Sequence, residues 1–350
     1  FAGVSSCSSN APNSPAVSEN STLRRLEATG HFDADAVQSR IGVKTVSPEG
    51  VTFNVEGDFR GGTLRLRHGY GSYKGVLAGQ TWSNYNSFVG NTSTLDFDSL
   101  PGTAGYQGRT AQLRYTSGPF SFSVEDPQSS LVEASVVLED GVPTGKVASV
   151  SDKKDGMPTF TARMEDSAGG LSYSAAVLAH EVGYDTGTDD ESAFGFGAFV
   201  AARMALTDMI TIQGAFNYSD GANSYLWRSG ENYFGSDAYV GPNGDVETIT
   251  GYAGSIGAGI NLGGGRSINI GYGMATMDYD DAKDDAAGDA AILAAINGQA
   301  ETNSAIMANY QWTPVKNVMM GVEYQYLKTE DVNGEDGDAN RLLFAAQYNF

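Results

Sequence analysis

Segment after segment of this chain alternates apolar and polar side chains with a period of two, each run being roughly 9 to 11 residues or a little longer, the length a tilted strand needs to cross a bilayer. From Val51 to Arg60, the residues Val51, Phe53, Val55 and Phe59 share one face while Thr52, Asn54, Glu56, Asp58 and Arg60 share the other. The next run sets Leu64, Leu66, His68 and Tyr70 against Arg65 and Arg67. Later runs oppose Ala111, Leu113 and Tyr115 to Gln112 and Arg114, and Phe160, Ala162 and Met164 to Thr161, Arg163 and Glu165. Near the end, Ile306, Ala308, Tyr310 and Trp312 oppose Asn309 and Gln311, and Val322, Tyr324 and Tyr326 oppose Glu323 and Gln325. The last run, Arg341 to Phe350, aligns Leu342, Phe344, Ala346, Tyr348 and Phe350 and stops on the aromatic. Ribbons with one greasy and one wet face, in a solvent that cannot satisfy free backbone groups, must close into a cylinder, so the last strand has to pair with the first.

The connections alternate in length, which an ordinary soluble sandwich has no reason to do. Short ones carry turn chemistry: Ser47-Pro48-Glu49-Gly50, Tyr73-Lys74-Gly75, Ser117-Gly118-Pro119, Ser167 to Gly170, Thr207-Asp208, Gly263 to Gly265 and Pro314 to Lys316. Long ones fall near 84–108, 127–157, 184–192, 219–246, 280–301 and 330–340, with Gly61-Gly62 as a tight exception. Counting runs, with Phe1 to Ser6 as the remnant of the first strand and the rest of 1–37 as the first loop, predicts about sixteen antiparallel strands, an even number. The expected fold is all-β: a transmembrane antiparallel β-barrel forming one domain over residues 1–350, with short periplasmic turns and long extracellular loops in a Gram-negative outer membrane.

Composition agrees. Only 18% of residues are charged while 45 of 350 are Gly, a pairing that suits a strand-rich wall whose outer face avoids charge. The longest Gly-free apolar run, Ala290 to Ile296, is far short of the roughly 18 residues a spanning helix needs. The single Cys7 excludes an internal disulfide, and three His with a net charge of -21 argue against a zinc module or a nucleic-acid surface. No cofactor is expected. A chain that starts at Phe1 without Met is expected to have lost a signal peptide.

The negative charge is concentrated in three connections. Segments 184–192, 280–289 and 330–338 hold fourteen acidic residues and one Lys. These are solvated loop charges, with a functional alternative in which they hold divalent cations against the lipopolysaccharide of the outer leaflet. Within the last of them, Asp331, Asn333, Glu335, Asp336 and Asp338 weakly resemble a calcium loop, but Leu342 stands where its bidentate Glu belongs. The polar face of the early strands has the opposite sign. Arg40, Lys44, Arg60, Arg65, Arg67 and Arg114 alternate with apolar neighbours and are expected to point into the lumen, with Arg109 at the end of the 84–108 connection. In a low-dielectric tube such a cluster concentrates anions, and the planar guanidinium fork grips carboxylate or phosphate. Ion pairing with Glu56 and Asp58 on the facing strand is its competing, structural use. His68 and Tyr70 are expected to face lipid, in an aromatic girdle or a subunit contact.

The 84–108 connection is long enough to demand a purpose. Folded inward it would narrow the channel, and Asp96 and Asp98 would face the basic wall and set a transverse field; the alternative is a surface loop covering the mouth. An enzyme is not expected. A serine nucleophile needs an oriented His; His31 is read in the first connection and His68 on the lipid side, while His180 and Glu181 point to opposite faces. Ala253-Gly254-Ser255-Ile256-Gly257 lacks the first Gly of a nucleophile elbow, and Gly257 to Gly265 lacks the Lys of a phosphate loop. A receptor or adhesion barrel acting through its acidic loops, a phage receptor included, stays open as an alternative.

The stretch TLRLRHGYGSYKGVLAGQTWSNY, residues 63–85, resembles the trimeric outer-membrane porins of the DcaP-like family, most specifically in GQTWSNY. SRIGVKTVSPEGVTFNVEGDFRGG before it and GRTAQLRYTSGPFSFSVEDP after it continue the likeness, which is sharp over roughly 38–127 and architectural beyond. The resemblance implies a sixteen-stranded homotrimeric barrel whose arginine-lined constriction admits small dicarboxylate-like or other anionic solutes, and Arg65, Arg67, Arg109 and Arg114 are the positions that would inherit that role. Family members carry a coiled-coil-forming helical segment before the barrel, so a processed or truncated chain is expected, and the Ser-rich 5–22 segment departs from the pattern.

Overall fold

Alternation becomes a sheet because residues of one parity can all be buried against water-filled interior polar groups while the other parity meets lipid. The computed structural model describes residues 2–9, 28–98, 100–132, 135–139, 142–148, 153–187, 190–226, 235–241, 244–288 and 290–349. The first eight strands are β1 (Ala2–Ser9), β2 (Ala28–Asp35), β3 (Arg40–Val46), β4 (Thr52–Asp58), β5 (Arg65–Tyr73), β6 (Val76–Trp82), β7 (Arg109–Ser117) and β8 (Phe120–Glu125). A small hairpin, β9 (Ser135–Glu139) with β10 (Val142–Ala148), precedes β11 (Lys153–Lys154), β12 (Thr159–Ala168), β13 (Leu171–Asp185), β14 (Asp190–Ala205) and β15 (Ile210–Asp220). A second small hairpin, β16 (Ala238–Val240) with β17 (Val246–Thr248), is followed by β18 (Thr250–Gly263), β19 (Arg266–Asp278), β20 (Ala300–Val315), β21 (Val318–Asp331) and β22 (Asp336–Tyr348).

Eighteen of these strands form one sheet. Within it β11 and β12 both pair with β13, while β2 carries the ladder to β1 and β3 carries the ladder to β4, so each couple counts as one stave and the wall has about sixteen. The cylinder is joined through β1 and β22, in register from Ala2 against Ala346 to Ser9 against Ala339. Phe350 and residues 10–27 lie outside the described residues. No described helix is long and apolar enough to cross a membrane.

The two faces separate as a membrane barrel requires. Val55, Leu113, Phe122 and Val200 are each more than half exposed, whereas their opposite-parity counterparts Asn217, Glu323 and Gln325 are fully buried. Polar residues inside and large apolar residues outside is the inverse of a soluble protein.

Several connections are shorter than the sequence implies. Ala28–Asp35, assigned to the first loop, is a strand, and His31 lies in it. β13 ends at Asp185 and β14 resumes at Asp190, and β21 and β22 leave a bare hairpin turn between Asp331 and Asp336. Acidic strand tips continue the ladder above the bilayer, where water solvates their side chains, so composition alone reads them as loops. The 280–301 connection is helical: α1 (Asp280–Asp285) and α2 (Ala290–Asn297). Ala-rich α2 is a good helix former, and its i, i+4 pair Ile292 and Ile296 packs into a buried cluster with Leu226, Ile249, Met277 and Tyr279 at the extracellular end.

Candidate functional site

The inner wall is built around an irregularity between β4 and β5. Glu56 pairs with His68 and Gly57 with Leu66, so Arg67 has no opposite number. This β-bulge inserts one residue and reverses the parity beyond it. Arg65, Arg67 and His68 therefore all reach the interior, and Tyr70 follows on the inward side, opposite Asn54. The expectation that His68 and Tyr70 face lipid is wrong for this reason. His68 is buried, its Nδ1 is 3.0 Å from Thr81 Oγ1, and its ring meets Trp82 edge-on at 5.7 Å. The β5–β6 ladder ends at Gly69 opposite Gln80, and beyond it the Gln80 side chain continues the contact: Nε2 donates to Leu66 O at 3.2 Å and Arg67 O at 3.3 Å.

Above the bulge the cations and anions interlock. Arg65 grips Asp58 with two bonds, Nε to Oδ1 at 2.6 Å and Nη2 to Oδ2 at 3.1 Å. Arg67 Nη1 donates to the same Asp58 at 2.7 Å and its Nε to Glu56 at 3.1 Å. Arg40 approaches Glu56 at 4.0 Å. Arg60 reaches Asp98 at 3.5 Å, and Asp96 is bonded by Arg341, a residue the sequence reading did not select. Arg109 lies with its guanidinium 4.6 Å over the Trp82 ring, within the field of Arg67, Arg65, Asp58 and Arg40. Arg40, Arg60, Arg65, Arg67 and Arg109 thus form one group with Asp96 and Asp98.

Lys44 stands apart from that group, near a short turn, whereas Arg114 starts from that end of β7 and directs its guanidinium back to the carbonyl of Trp82, whose ring carries Arg109. Arg114 pairs in register with Leu77. Its Nε donates to Gln112 Oε1 at 2.8 Å and its Nη2 to Trp82 O at 2.5 Å. Arg163, another unselected residue, bonds the carbonyl of Asn86 and acts electrostatically on Arg114. Its signal was present, since it sits on the same wet face as Thr161 and Glu165. Lys44 pairs with Asn54 on the inward parity of β3.

The 84–108 segment is stapled to inner-face groups on widely separated strands. At its start Glu125 accepts from Asn84 N and Ser83 Oγ, both at 2.6 Å, and Asn84 Nδ2 donates to Thr161 Oγ1 at 2.9 Å. Midway, Leu95 N donates to Glu323 Oε2 at 2.7 Å and Asn309 Nδ2 to Ser93 O at 2.8 Å. On its return Asn217 Oδ1 accepts from Gly105 N at 2.9 Å, and Asn217 Nδ2 donates to Gly102 O and Thr103 O, both at 3.2 Å. Gly102 has φ of 75°, and a Cβ there would lie 2.4 Å from the backbone of Gly254, so only glycine lets the segment lie this close to the wall. Tyr85 in the same segment is completely buried, and that burial pushes its phenol well up.

The calcium-like stretch has another occupation. Asp331 Oδ1 accepts from Asn333 N at 3.0 Å and Glu335 N at 2.8 Å, closing the β21–β22 turn, and Asp336 pairs with Lys328 at 3.3 Å. Among the described residues no three acidic, His or Cys side chains converge as a metal group, and Asp331, Asn333, Glu335, Asp336 and Asp338 therefore read as turn chemistry. The stretch Ala253 to Gly257 is strand interior, not a strand-to-helix elbow, and His180 Nε2 is engaged by Gly221 O at 2.6 Å.

No protein-family model matches the sequence, and no curated protein sequence matches it. Solved structures do. The outer membrane channel DcaP of Acinetobacter baumannii matches with a TM-score of 0.76 at 25% identity, covering 100% of this chain and 94% of that one. An anion-selective porin from Comamonas acidovorans matches at 0.56 with 12% identity over 99% of this chain and 96% of its own, and Salmonella typhi OmpF in complex with daunomycin at 0.51, 12%, 98% and 96%. A strand-only wall with greasy outer and wet inner faces, closed by its terminal strands and shared end to end with an outer-membrane channel, places the chain in the outer membrane as a porin, and the full-length likeness to DcaP supports the resemblance to the DcaP-like family.

Proposed function

We propose that the chain is an anion-preferring porin that passes small hydrophilic, carboxylate-type solutes passively through a constriction made by the 84–108 segment and the basic wall, acting as one barrel domain over 1–350 within a homotrimer. The observation that carries this reading is the sidedness of the interior: Arg40, Arg60, Arg65, Arg67 and Arg109 gather on β3 to β7 opposite a segment bonded to Glu323 and Asn309 across the lumen. A solute squeezed between them meets guanidinium donors on one flank, and flux requires that it be held only weakly. No covalent step is involved. For the assembly, the outer surface of β6 to β8, β12 and β13 supports a subunit contact: it is concave and apolar, about 750 Å³, lined by Leu113, Phe122, Val124, Phe160 and Val177. The acidic strand tips are solvated outward and take up divalent cations at the lipopolysaccharide surface.

The test is the reversal potential of the reconstituted channel in a salt gradient. Replacing Arg65 and Arg67 together by Ala strands Asp58 without its partners and should shift selectivity towards cations. An unchanged reversal potential would remove the basic wall from the ion path.

A further inference from the structure

The anchors of the 84–108 segment follow the order of the strands around the wall. Ser93 is held through its carbonyl by Asn309 on β20, Leu95 through its amide by Glu323 on β21, and Asp96 through its carboxylate by Arg341 on β22. The next anchor, Asp98 with Arg60 at 3.5 Å, lies on the turn between β4 and β5. Between β22 and that turn stand β1 and the stave made of β2 and β3, so the step from Asp96 to Asp98 crosses the line on which the cylinder closes. Three strand spacings of about 4.8 Å make this gap roughly 14 Å, within reach of two arginine side chains extended from either side onto neighbouring carboxylates.

The closing line has little packing of its own. β1 reads Ala-Gly-Val-Ser-Ser-Cys-Ser-Ser, with Val4 as its one branched aliphatic residue, and small residues contribute little to cross-strand pairs. Its ladder to β2 is irregular between Cys7 and Ser9, and its ladder to β22 brings Ala2 to Ala346, the most distant closure in the chain. The crossing above it is stiff at both ends. Asp96 Oδ1 accepts from Asp98 N at 3.1 Å while Oδ2 takes Arg341. Leu95 is buried over Gly321, where a Cβ would lie 2.5 Å from Leu95 Cδ2. At the far end Asp58 Oδ1 accepts from Arg60 N at 3.3 Å, and Phe59 N donates to Val37 O at 2.9 Å, which ties the same turn to the link between β2 and β3.

We infer that Arg341 and Arg60 are positioning residues that make residues 93–98 a strap across the seam between β22, β1 and β2, so that closure of the cylinder and the width of the constriction are set by the same two ion pairs. The coupling is reciprocal: a seam that opens pulls the two arginines apart and frees the tip of the segment, and a tip that lifts leaves the seam to its own ladder. The inference goes beyond the proposed function and does not depend on which ions pass.

The experiment is hydrogen exchange of the full chain in detergent, read by mass spectrometry on peptides covering residues 2–9 and 339–346, beside single-channel conductance of the same variants in a planar bilayer. R341Q should speed exchange of both peptides about tenfold, because a charge-assisted hydrogen bond is lost. R60Q should speed it about threefold, because its pair is longer and half exposed. Both variants should change conductance. The charge swap R341D with D96R should return exchange and conductance towards the wild-type values, and K328Q, which removes ion pairs at the outer rim, should move neither. Heat-modifiable gel mobility establishes that each barrel is folded; if R341Q is not, R60Q and the swap carry the same comparison. Exchange at the wild-type rate in the folded variants overturns the strap, as does faster exchange with unchanged conductance. A wild-type channel that prefers cations overturns the proposed function and leaves the strap standing.

Discussion

Asp58 is the residue whose removal best separates a decorative arginine cluster from one that sets ion selectivity. Its buried carboxylate accepts from both Arg65 and Arg67, so the two guanidinium groups carry one local compensating charge from Asp58 and a second from Glu56. Asp58→Asn keeps the shape and deletes one negative charge from the wall. At about 5 Å from the ion path in water the added field is about 0.8 kcal/mol, reduced by screening in ~0.1 M salt to about 0.5 kcal/mol. That changes the occupancy of each monovalent ion about twofold in opposite directions, so the anion-to-cation permeability ratio should rise about fivefold. The assay is the reversal potential across a tenfold salt gradient. Adding Arg67→Gln to the same chain restores the local charge balance and should return the ratio to near the wild-type value. If Asp58→Asn leaves the ratio unchanged in a folded barrel, the β4–β5 cluster is structural and ions pass elsewhere.

Three further outcomes follow from contacts of this fold. Gln80→Ala strips the caps from the Leu66 and Arg67 carbonyls beside lipid and should lower unfolding stability in detergent by roughly 1–3 kcal/mol, read from denaturant titration. Gly102→Val cannot keep the approach to Gly254, so the 84–108 segment should lift from the wall; single-channel conductance and anion preference should both change, and unaltered values would mean that the segment does not border the path. Asp237, fully buried just before β16, accepts from Ser130 N and Ser224 N at 2.7 Å each, and burial raises its carboxyl above the ordinary range. A raised native pKa means the folded form holds the proton more tightly, so its favourable contribution is complete below the ordinary Asp range and is lost as pH rises through the native value. Amide-exchange protection of residues 235–249 should therefore fall with rising pH in wild type and change less in Asp237→Asn.

What could be read from the order of residues, and what could not, has a single physical dividing line. Period-two alternation depends on strand geometry alone, so the wall, its closure and the inward direction of Arg40, Arg65 and Arg114 were legible. The bulge was not. One unpaired residue at Arg67 turns His68 and Tyr70 from lipid to lumen, and nothing in the local composition marks it, because the register is set by the partner strand, where Glu56 meets His68. Ion pairing was visible as a possibility, since Glu56 and Asp58 sat on the facing strand, but Arg341 with Asp96 and Glu323 with Leu95 join residues more than two hundred positions apart, which only closure of the cylinder brings together. The same bulge has a functional consequence. Regular alternation would have given β5 an inward Arg every second position and an outward His68. Inserting one residue instead crowds Arg65, Arg67 and His68 onto the interior within one turn of the ladder. Asp58 and Glu56 are then needed to hold the guanidinium groups apart. Deleting His68 should restore flat pairing, with Arg67 opposite Glu56 and Arg65 still opposite Asp58, and should remove the inward ring that packs on Trp82; a His68-deleted barrel with wild-type heat stability and unaltered selectivity would show that the bulge does not organise the site.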